Sequence, residues 1–274
     1  MIRRAAGALT THISGIIEEA RQPLFIKQTI WTALFFALMV GTLIININFL
    51  RTTYPDAPQP PDLILDNFPQ NDAWILVGES LSALQSGLIM LFFFSSRERF
   101  RHFPTMASLL IFMFMLRGFV ITLTPLGQIQ PPAENYAEDH WIAQTFYHGM
   151  FYSGHTASSM IQVMFFHRFK MRGVRLSWVL LPLTTIQIIA LLGSHQHYTI
   201  DIFGGLMVAY FIVHCDLTQV FPAFIRDAAW APWNDHTRQA TQPIDEQPAY
   251  PAAPIGAEGS TAQAQDEMEY ERTA

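Results

Sequence analysis

What most constrains this chain is a series of long apolar stretches, two of which open on short polar islands. Segments long enough to cross a bilayer, roughly 17 to 25 residues each, lie near 29–49, 73–94, 105–125, 151–168, 175–194 and 199–218. A backbone in hydrocarbon has to satisfy its own hydrogen bonds, so this pattern predicts an all-α, polytopic membrane protein with six transmembrane helices. Composition agrees, since only 14% of the 274 residues are charged against about 25% in an ordinary soluble domain. The fourth and sixth segments are the least apolar, because they begin inside the islands Phe151-Tyr152-Ser153-Gly154-His155-Thr156 and His195-Gln196-His197-Tyr198-Thr199-Ile200-Asp201.

The net charge of −6 belongs to the end of the chain, where residues 221–274 carry nine acidic and three basic side chains while residues 1–220 balance. Three regions follow: an N-terminal segment 1–28, a membrane domain 29–220, and an acidic tail 221–274 whose Ala, Pro, Gln and acidic residues predict disorder. The first 25 residues lack a continuous apolar core, so no cleavable signal peptide is expected. The stretch from Thr10 to Phe25 instead predicts an interfacial helix. A single cysteine, Cys215, excludes an internal disulfide and a thiolate metal site.

Basic loop residues stay on the cytoplasmic side. Eleven of the thirteen Lys and Arg in residues 1–220 fall in three segments sharing one face: Arg3, Arg4, Arg21 and Lys27; Arg97, Arg99 and Arg101; Arg168, Lys170, Arg172 and Arg175. Both termini are therefore expected in the cytoplasm, and loops 50–72, 126–150 and 195–198 on the periplasmic or lumenal face. Both polar islands belong to that outer face. The loop 51–72, rich in Pro and Asp, reads as an ordered or semi-extended cap without regular secondary structure, or as a solvated connector.

Two histidines and a carboxylate at a lipid–water boundary suit phosphoryl transfer, which needs a nucleophile, an acid for the leaving oxygen and groups that bear the phosphate's charge. His197 and Asp201 are spaced i to i+4, so a helical start to the sixth segment puts them on one face, with the carboxylate orienting the imidazole. His197 is thus the candidate nucleophile and His155 the candidate general acid. Ser153 and Gly154 read as a phosphate cradle beside it. A metal pair recruiting His195 is the weaker reading of the same residues, and no metal or other cofactor is implied.

Glu79 and Arg117 lie within the second and third segments. Counting from the outer ends places both about 10 Å below the same interface, and buried charges in a bilayer seldom stand alone. An ion pair between them is expected, either as a clamp between spans or with Arg117 contributing to phosphate or headgroup binding.

At these positions the chain resembles the sphingomyelin synthase family, a branch of the lipid phosphate phosphatase superfamily, over most of residues 29–218. Ser153-Gly154-His155-Thr156 is similar to that family's Ser-Gly-His-Thr element, and His197-Tyr198-Thr199-Ile200-Asp201 matches its second motif at every position. Pro60-Pro61-Asp62, Glu79, and Arg117 with Thr122, Thr124 and Pro125 are fainter echoes. The resemblance implies a lipid phosphatase-like helical core with His155, His197 and Asp201 as a catalytic triad and Ser153, Gly154, Tyr198, Arg117 and Glu79 toward the substrate. It implies transfer of phosphocholine or phosphoethanolamine from phosphatidylcholine or phosphatidylethanolamine to ceramide, within the bilayer and with no nucleic acid involved. One departure stands out: where the family carries Cys-Gly-Asp, this chain has His148-Gly149-Met150, which removes an acid near the headgroup.

Two other functions are compatible with such a scaffold. Water could resolve the phosphohistidine, giving a phospholipase C-type or lipid phosphate phosphatase hydrolase. A non-catalytic lipid-binding or scrambling protein would have no need of the His155, His197 and Asp201 set.

Overall fold

Every element of the computed structural model is helical among the described residues, which are 2–54, 56–127, 151–168 and 176–214. In chain order these are α1 (Ile2–Ala20), α2 (Pro23–Thr53), α3 (Leu63–Asn67), α4 (Ala73–Phe94), α5 (Arg97–Phe100), α6 (Phe103–Leu123), α7 (Gly154–Arg168), α8 (Leu176–Gly193) and α9 (Thr199–His214). Pro23 and Pro104 stand in the first turns of α2 and α6, where a missing N–H costs nothing.

Four stretches are long and apolar enough to cross a membrane: Pro23–Thr53, Ala73–Phe94, Arg97–Leu123 and Leu176–Gly193. The expected six are not all met on length. Among the described residues α7 has 15 residues and α9 has 16, about 22 to 24 Å of helix against a hydrocarbon core of about 30 Å. Residues 169–175 and 215–218, which border these two helices, lie outside the described residues, as do the tail 221–274 and most of the 126–150 loop.

The N-terminal helix α1 runs from Ile2 to Ala20, whereas the sequence predicts one from Thr10 to Phe25; the helix breaks at Arg21-Gln22 and Phe25 belongs to α2. Leu9, Ile13 and Ile17 form an exposed apolar stripe, the pattern of a helix lying in a membrane surface. Its buried Glu19 accepts from Arg97 Nε at 2.9 Å and Arg101 Nε at 2.8 Å, which fastens α1 to the elbow between α4 and α6.

Lipid tails are as apolar as leucine, so helix association in a bilayer relies on close packing and interhelical hydrogen bonds. Both devices are present. Helices α2 and α6 run parallel, with the Thr32 and Ser108 hydroxyls 2.9 Å apart near one end and Gly118 packed against Thr42, Leu43 and Asn46 toward the other. A buried amide network joins α4, α7 and α8: Gln85 Nε2 donates to Gln162 Oε1 at 2.8 Å and to the Ser159 carbonyl at 3.1 Å. Thr184 donates to Gln85 Oε1, Ser159 to Gln187 Oε1, and Gln187 Nε2 to Ser82. Gln85 and Gln187 each share their amide between two neighbouring helices and Gln162 accepts from Gln85, so these buried dipoles avoid the full desolvation cost of unmet groups.

A close junction lies between α7 and α9. A Cβ built on Gly205 would fall 2.8 Å from the Ser153 carbonyl oxygen and 3.1 Å from Thr156 Cβ, and one on Gly204 would fall 2.9 Å from Tyr152 Cβ. These glycines bring the starts of the two helices together. Gly205→Ala is therefore expected to force α9 away from α7 at a cost of about 1–3 kcal/mol, lowering the thermal midpoint in detergent. Gly87→Ala, whose added methyl meets nothing within 4 Å, is expected to leave the midpoint unchanged or raise it. Equal midpoints for the two variants would refute this account of the junction.

Candidate active site

The two polar islands meet where α7 and α9 begin. Ser153 N–H donates to the Asp201 carbonyl at 3.0 Å, a backbone link between stretches far apart in sequence. Ser153 Oγ in turn accepts from Thr156 N–H at 3.2 Å, which makes it the cap of α7. His155 follows in the first turn of that helix. Its ring centroid lies 6.2 Å from that of His197, with the planes inclined at 65°.

His197 stands two residues before α9, and Asp201 lies inside its first turn. Both therefore do not sit on one helical face, as the spacing had suggested. Instead the chain reverses at the helix start: Asp201 Oδ2 accepts from Tyr198 N–H at 3.1 Å and lies 3.4 Å from His197 Nδ1. A carboxylate reaching back to the capping N–H is half of a capping box, and here the same oxygen also faces the imidazole. Asp201 is completely buried and His197 nearly so. With Nδ1 turned to the carboxylate, Nε2 is the ring nitrogen left to attack an electrophile.

Glu79 is paired differently from expectation. Its Oε1 stands 3.6 Å from His155 Nε2, with half of the Glu79 side chain exposed. Arg117 is buried, and its Nε donates to the Tyr152 carbonyl at 2.9 Å. Its Cδ and Nε lie against Gly154, where an added Cβ would come within 3.5 Å of both. Counting residues along two helices sets their levels, but level says nothing of which way around a helix a side chain points. The glutamate faces the start of α7, and the arginine lies behind it.

The site therefore contains two imidazole–carboxylate couples facing one another, His197 with Asp201 and His155 with Glu79, with the Arg117 cation beside the start of α7. Three expected substrate contacts have other partners. Ser153 is fully buried as a helix cap. Gly154 gives room for Arg117 and Phe114. Tyr198 is buried against Leu65, Leu126 and Leu192 and donates its hydroxyl to the Gly127 carbonyl at 3.1 Å. Burial pushes that phenol up to about 12, with the Asp201 and Asp62 carboxylates adding to the shift, so it remains a neutral donor.

The connection between α2 and α4, residues 56–72, is held in place and contains the short helix α3, regular structure that its Pro and Asp content did not lead one to expect. Asp62 begins α3, its Oδ1 accepting from Ile64 N–H at 3.0 Å and Leu65 N–H at 3.3 Å. The same carboxylate also accepts the Thr199 hydroxyl at 2.8 Å and the Thr199 N–H, at the first residue of α9. Burial works to raise its pKa, but the bonds from Thr199, Leu65 and Ile64 outweigh it and hold the carboxyl below its ordinary value. Their contribution to stability is thus complete above the unfolded carboxylate pKa and is lost only as pH falls through the lowered folded one. Gly127 N–H donates to the Pro58 carbonyl at 2.9 Å, which ties the end of the third apolar stretch to the same connection.

A family model described as AtPDCT1/2 matches residues 68–217, a stretch that holds α4 to α9 and both polar islands. The match is to a lipid headgroup transferase family related to the phosphatases and sphingomyelin synthases, and not specifically to sphingomyelin synthases. No curated protein matches the chain.

Proposed function

The chain belongs to the AtPDCT1/2 family, and from that premise we propose that it moves phosphocholine from phosphatidylcholine to diacylglycerol through a phosphohistidine on His197. It is a multi-pass integral membrane protein and a transferase of phosphocholine groups. The observation that carries the mechanism is the opposed pair of imidazoles 6.2 Å apart, each with its own carboxylate.

In the first half-reaction His197 Nε2 attacks the phosphorus, the bond from phosphorus to the glycerol oxygen breaks, and His155 gives that oxygen its proton. Diacylglycerol leaves. A second diacylglycerol then binds, its hydroxyl passes a proton to His155, its oxygen attacks phosphorus, and the bond to His197 breaks. Bonds of the same type are broken and made, so the equilibrium constant is near one and the two half-reactions mirror each other. One glycerolipid site serves both. Arg117 supplies positive charge behind the phosphate, and the half-exposed Glu79 offers a carboxylate to the choline ammonium while holding the His155 ring in place.

The reading extends to topology. All six segments cross the bilayer, α7 and α9 included, with the site on the non-cytoplasmic face. The elbow carrying Arg97, Arg99 and Arg101 lies at the other end of α4 and α6 from Glu79 and Arg117, as the charge rule requires.

Ceramide is the competing acceptor, on the strength of the His197–Asp201 motif, and water the competing one for a hydrolase. Purified protein in phosphatidylcholine micelles should convert labelled diacylglycerol into labelled phosphatidylcholine without releasing free phosphocholine. Initial rates should follow ping-pong kinetics. Preferential formation of sphingomyelin from labelled ceramide would replace the acceptor. Steady release of phosphocholine without any lipid acceptor would make the enzyme a hydrolase.

A further inference from the structure

We infer that Asp62 is a positioning residue for His197, acting through Thr199 from the opposite end of the chain's membrane domain. This rests on the reading of His197 as nucleophile given above.

His197 itself belongs to a short connection, Ser194–Tyr198, between α8 and α9, and a nucleophile on a loop is only as well aimed as the anchors on either side of it. On the near side, Ser194 N–H, His195 N–H and Gln196 N–H close a turn onto the carbonyls of Ala190, Leu192 and Leu191. His195 holds a left-handed backbone (φ 55°) within that turn, and its Nε2 lies 2.9 Å from the Phe68 carbonyl. On the far side the anchor is the first residue of α9, Thr199, and its hydroxyl and N–H both go to one buried carboxylate, that of Asp62.

A helix N-terminus leaves its first N–H groups without intrahelical partners. In α9 the task of meeting them is divided. Asp201 takes the Tyr198 N–H from within the helix, and Asp62 takes the Thr199 N–H from across the fold. Asp62 thereby caps α3 in its own loop and α9 from outside, with four hydrogen bonds on one carboxylate. Leu65 of α3 also packs against Tyr198, so the cap touches the residue next to His197 as well as Thr199. Among the described residues no hydrogen bond or ion pair joins Asp62 to either imidazole, so its geometric hold on Nε2 runs through the Tyr198–Thr199 backbone. Reactive geometry is steep: a shift of about 1 Å in a reacting group can cost about a hundredfold in rate.

The four variants Asp62→Asn, Thr199→Val, Thr199→Ser and the double Asp62→Asn/Thr199→Val distinguish this from a purely structural role, using the labelled-diacylglycerol exchange assay with purified full-length protein in phosphatidylcholine micelles. Asp62→Asn keeps the size of the side chain but opposes an amide N–H to the Thr199 N–H or loses an acceptor from the other bonds. It is expected to lower kcat about 30- to 100-fold with KM changed less than about threefold. Thr199→Val should lose a smaller part of kcat, Thr199→Ser should retain wild-type kcat, and the double variant should be no slower than Asp62→Asn within about threefold, because both changes cut one path.

His197→Gln runs beside them as reference. If it is inactive while Asp62→Asn keeps wild-type kcat, the positioning role is wrong and the nucleophile reading stands. If His197→Gln is itself active, both fall. A loss of activity in Asp62→Asn that matches the loss of folded protein, with kcat per folded molecule unchanged, would also overturn the proposal.

Discussion

Replacing His197 by glutamine is expected to reduce phosphocholine transfer by about ten-thousand-fold or more, with no labelled protein accumulating when the donor is given alone. The size follows from what is removed. A covalent mechanism without its nucleophile retains only binding and electrostatic assistance, and residues that act as one unit lose nearly the whole effect when any one is removed. The fold should tolerate the change. Asp201 keeps the Tyr198 N–H, Ser153 keeps the Asp201 carbonyl, and the glycine junction between α7 and α9 does not involve the imidazole. Thermal midpoint and detergent elution should therefore stay close to wild type while activity disappears. A folded His197→Gln protein with activity within tenfold of wild type would remove His197 from the chemistry.

His155→Ala should be nearly as damaging toward lipid, but its defect should depend on the leaving group. General acid catalysis contributes about a hundred- to ten-thousand-fold, and that is the expected loss with phosphatidylcholine, whose glycerol alkoxide leaves poorly unless protonated. A nitrophenyl ester of phosphocholine leaves as a stable phenolate and needs no proton. With it the variant should release about one equivalent of nitrophenol per protein at near wild-type rate and then stall, because the second half-reaction still requires His155 as base toward the acceptor hydroxyl. The same variant failing equally with both donors would instead make His155 a binding or structural residue. The contrast with His197→Gln is the point of the pair: the nucleophile is needed for any donor, the acid only for a poor leaving group.

Much of the site was legible because chemistry-bearing residues are conspicuous in an apolar background. Ser153-Gly154-His155 and His197 through Asp201 interrupt runs that would otherwise be continuous, and the structure brings the two islands together at the starts of α7 and α9. What spacing misjudged was local. The i to i+4 relation of His197 and Asp201 reads as a helical face, whereas the helix starts between them and the carboxylate reaches backward across the cap. The Glu79–Arg117 pairing failed for a related reason, since a hydropathy pattern gives depth along a helix while the partner depends on rotation about its axis.

Long-range polar contacts were not legible at all. Gln85, Gln162 and Gln187 each look like an isolated polar residue in an apolar run, and only their convergence from α4, α7 and α8 makes a network. Asp62 stood out only as part of a proline-rich stretch, and nothing in its neighbourhood points to Thr199, 137 positions away. The glycines of α9 gave no signal either, because Gly204-Gly205 is as consistent with a flexible helix as with two backbones in contact. Span length is met in part: the fourth and sixth segments read as spans of ordinary length, and the described parts of α7 and α9 come to 15 and 16 residues.

The central claim is that the headgroup passes through His197, and it is tested most directly by catching it there. Wild-type protein incubated with choline-labelled phosphatidylcholine and no added acceptor, quenched in alkali where a phosphohistidine survives, should carry label that maps to the peptide containing His197. That label should be lost on brief acid treatment and should transfer to diacylglycerol when this is added before the quench. Label on a different residue, or rapid exchange between phosphatidylcholine and diacylglycerol with no protein-bound label in wild type, would contradict the mechanism.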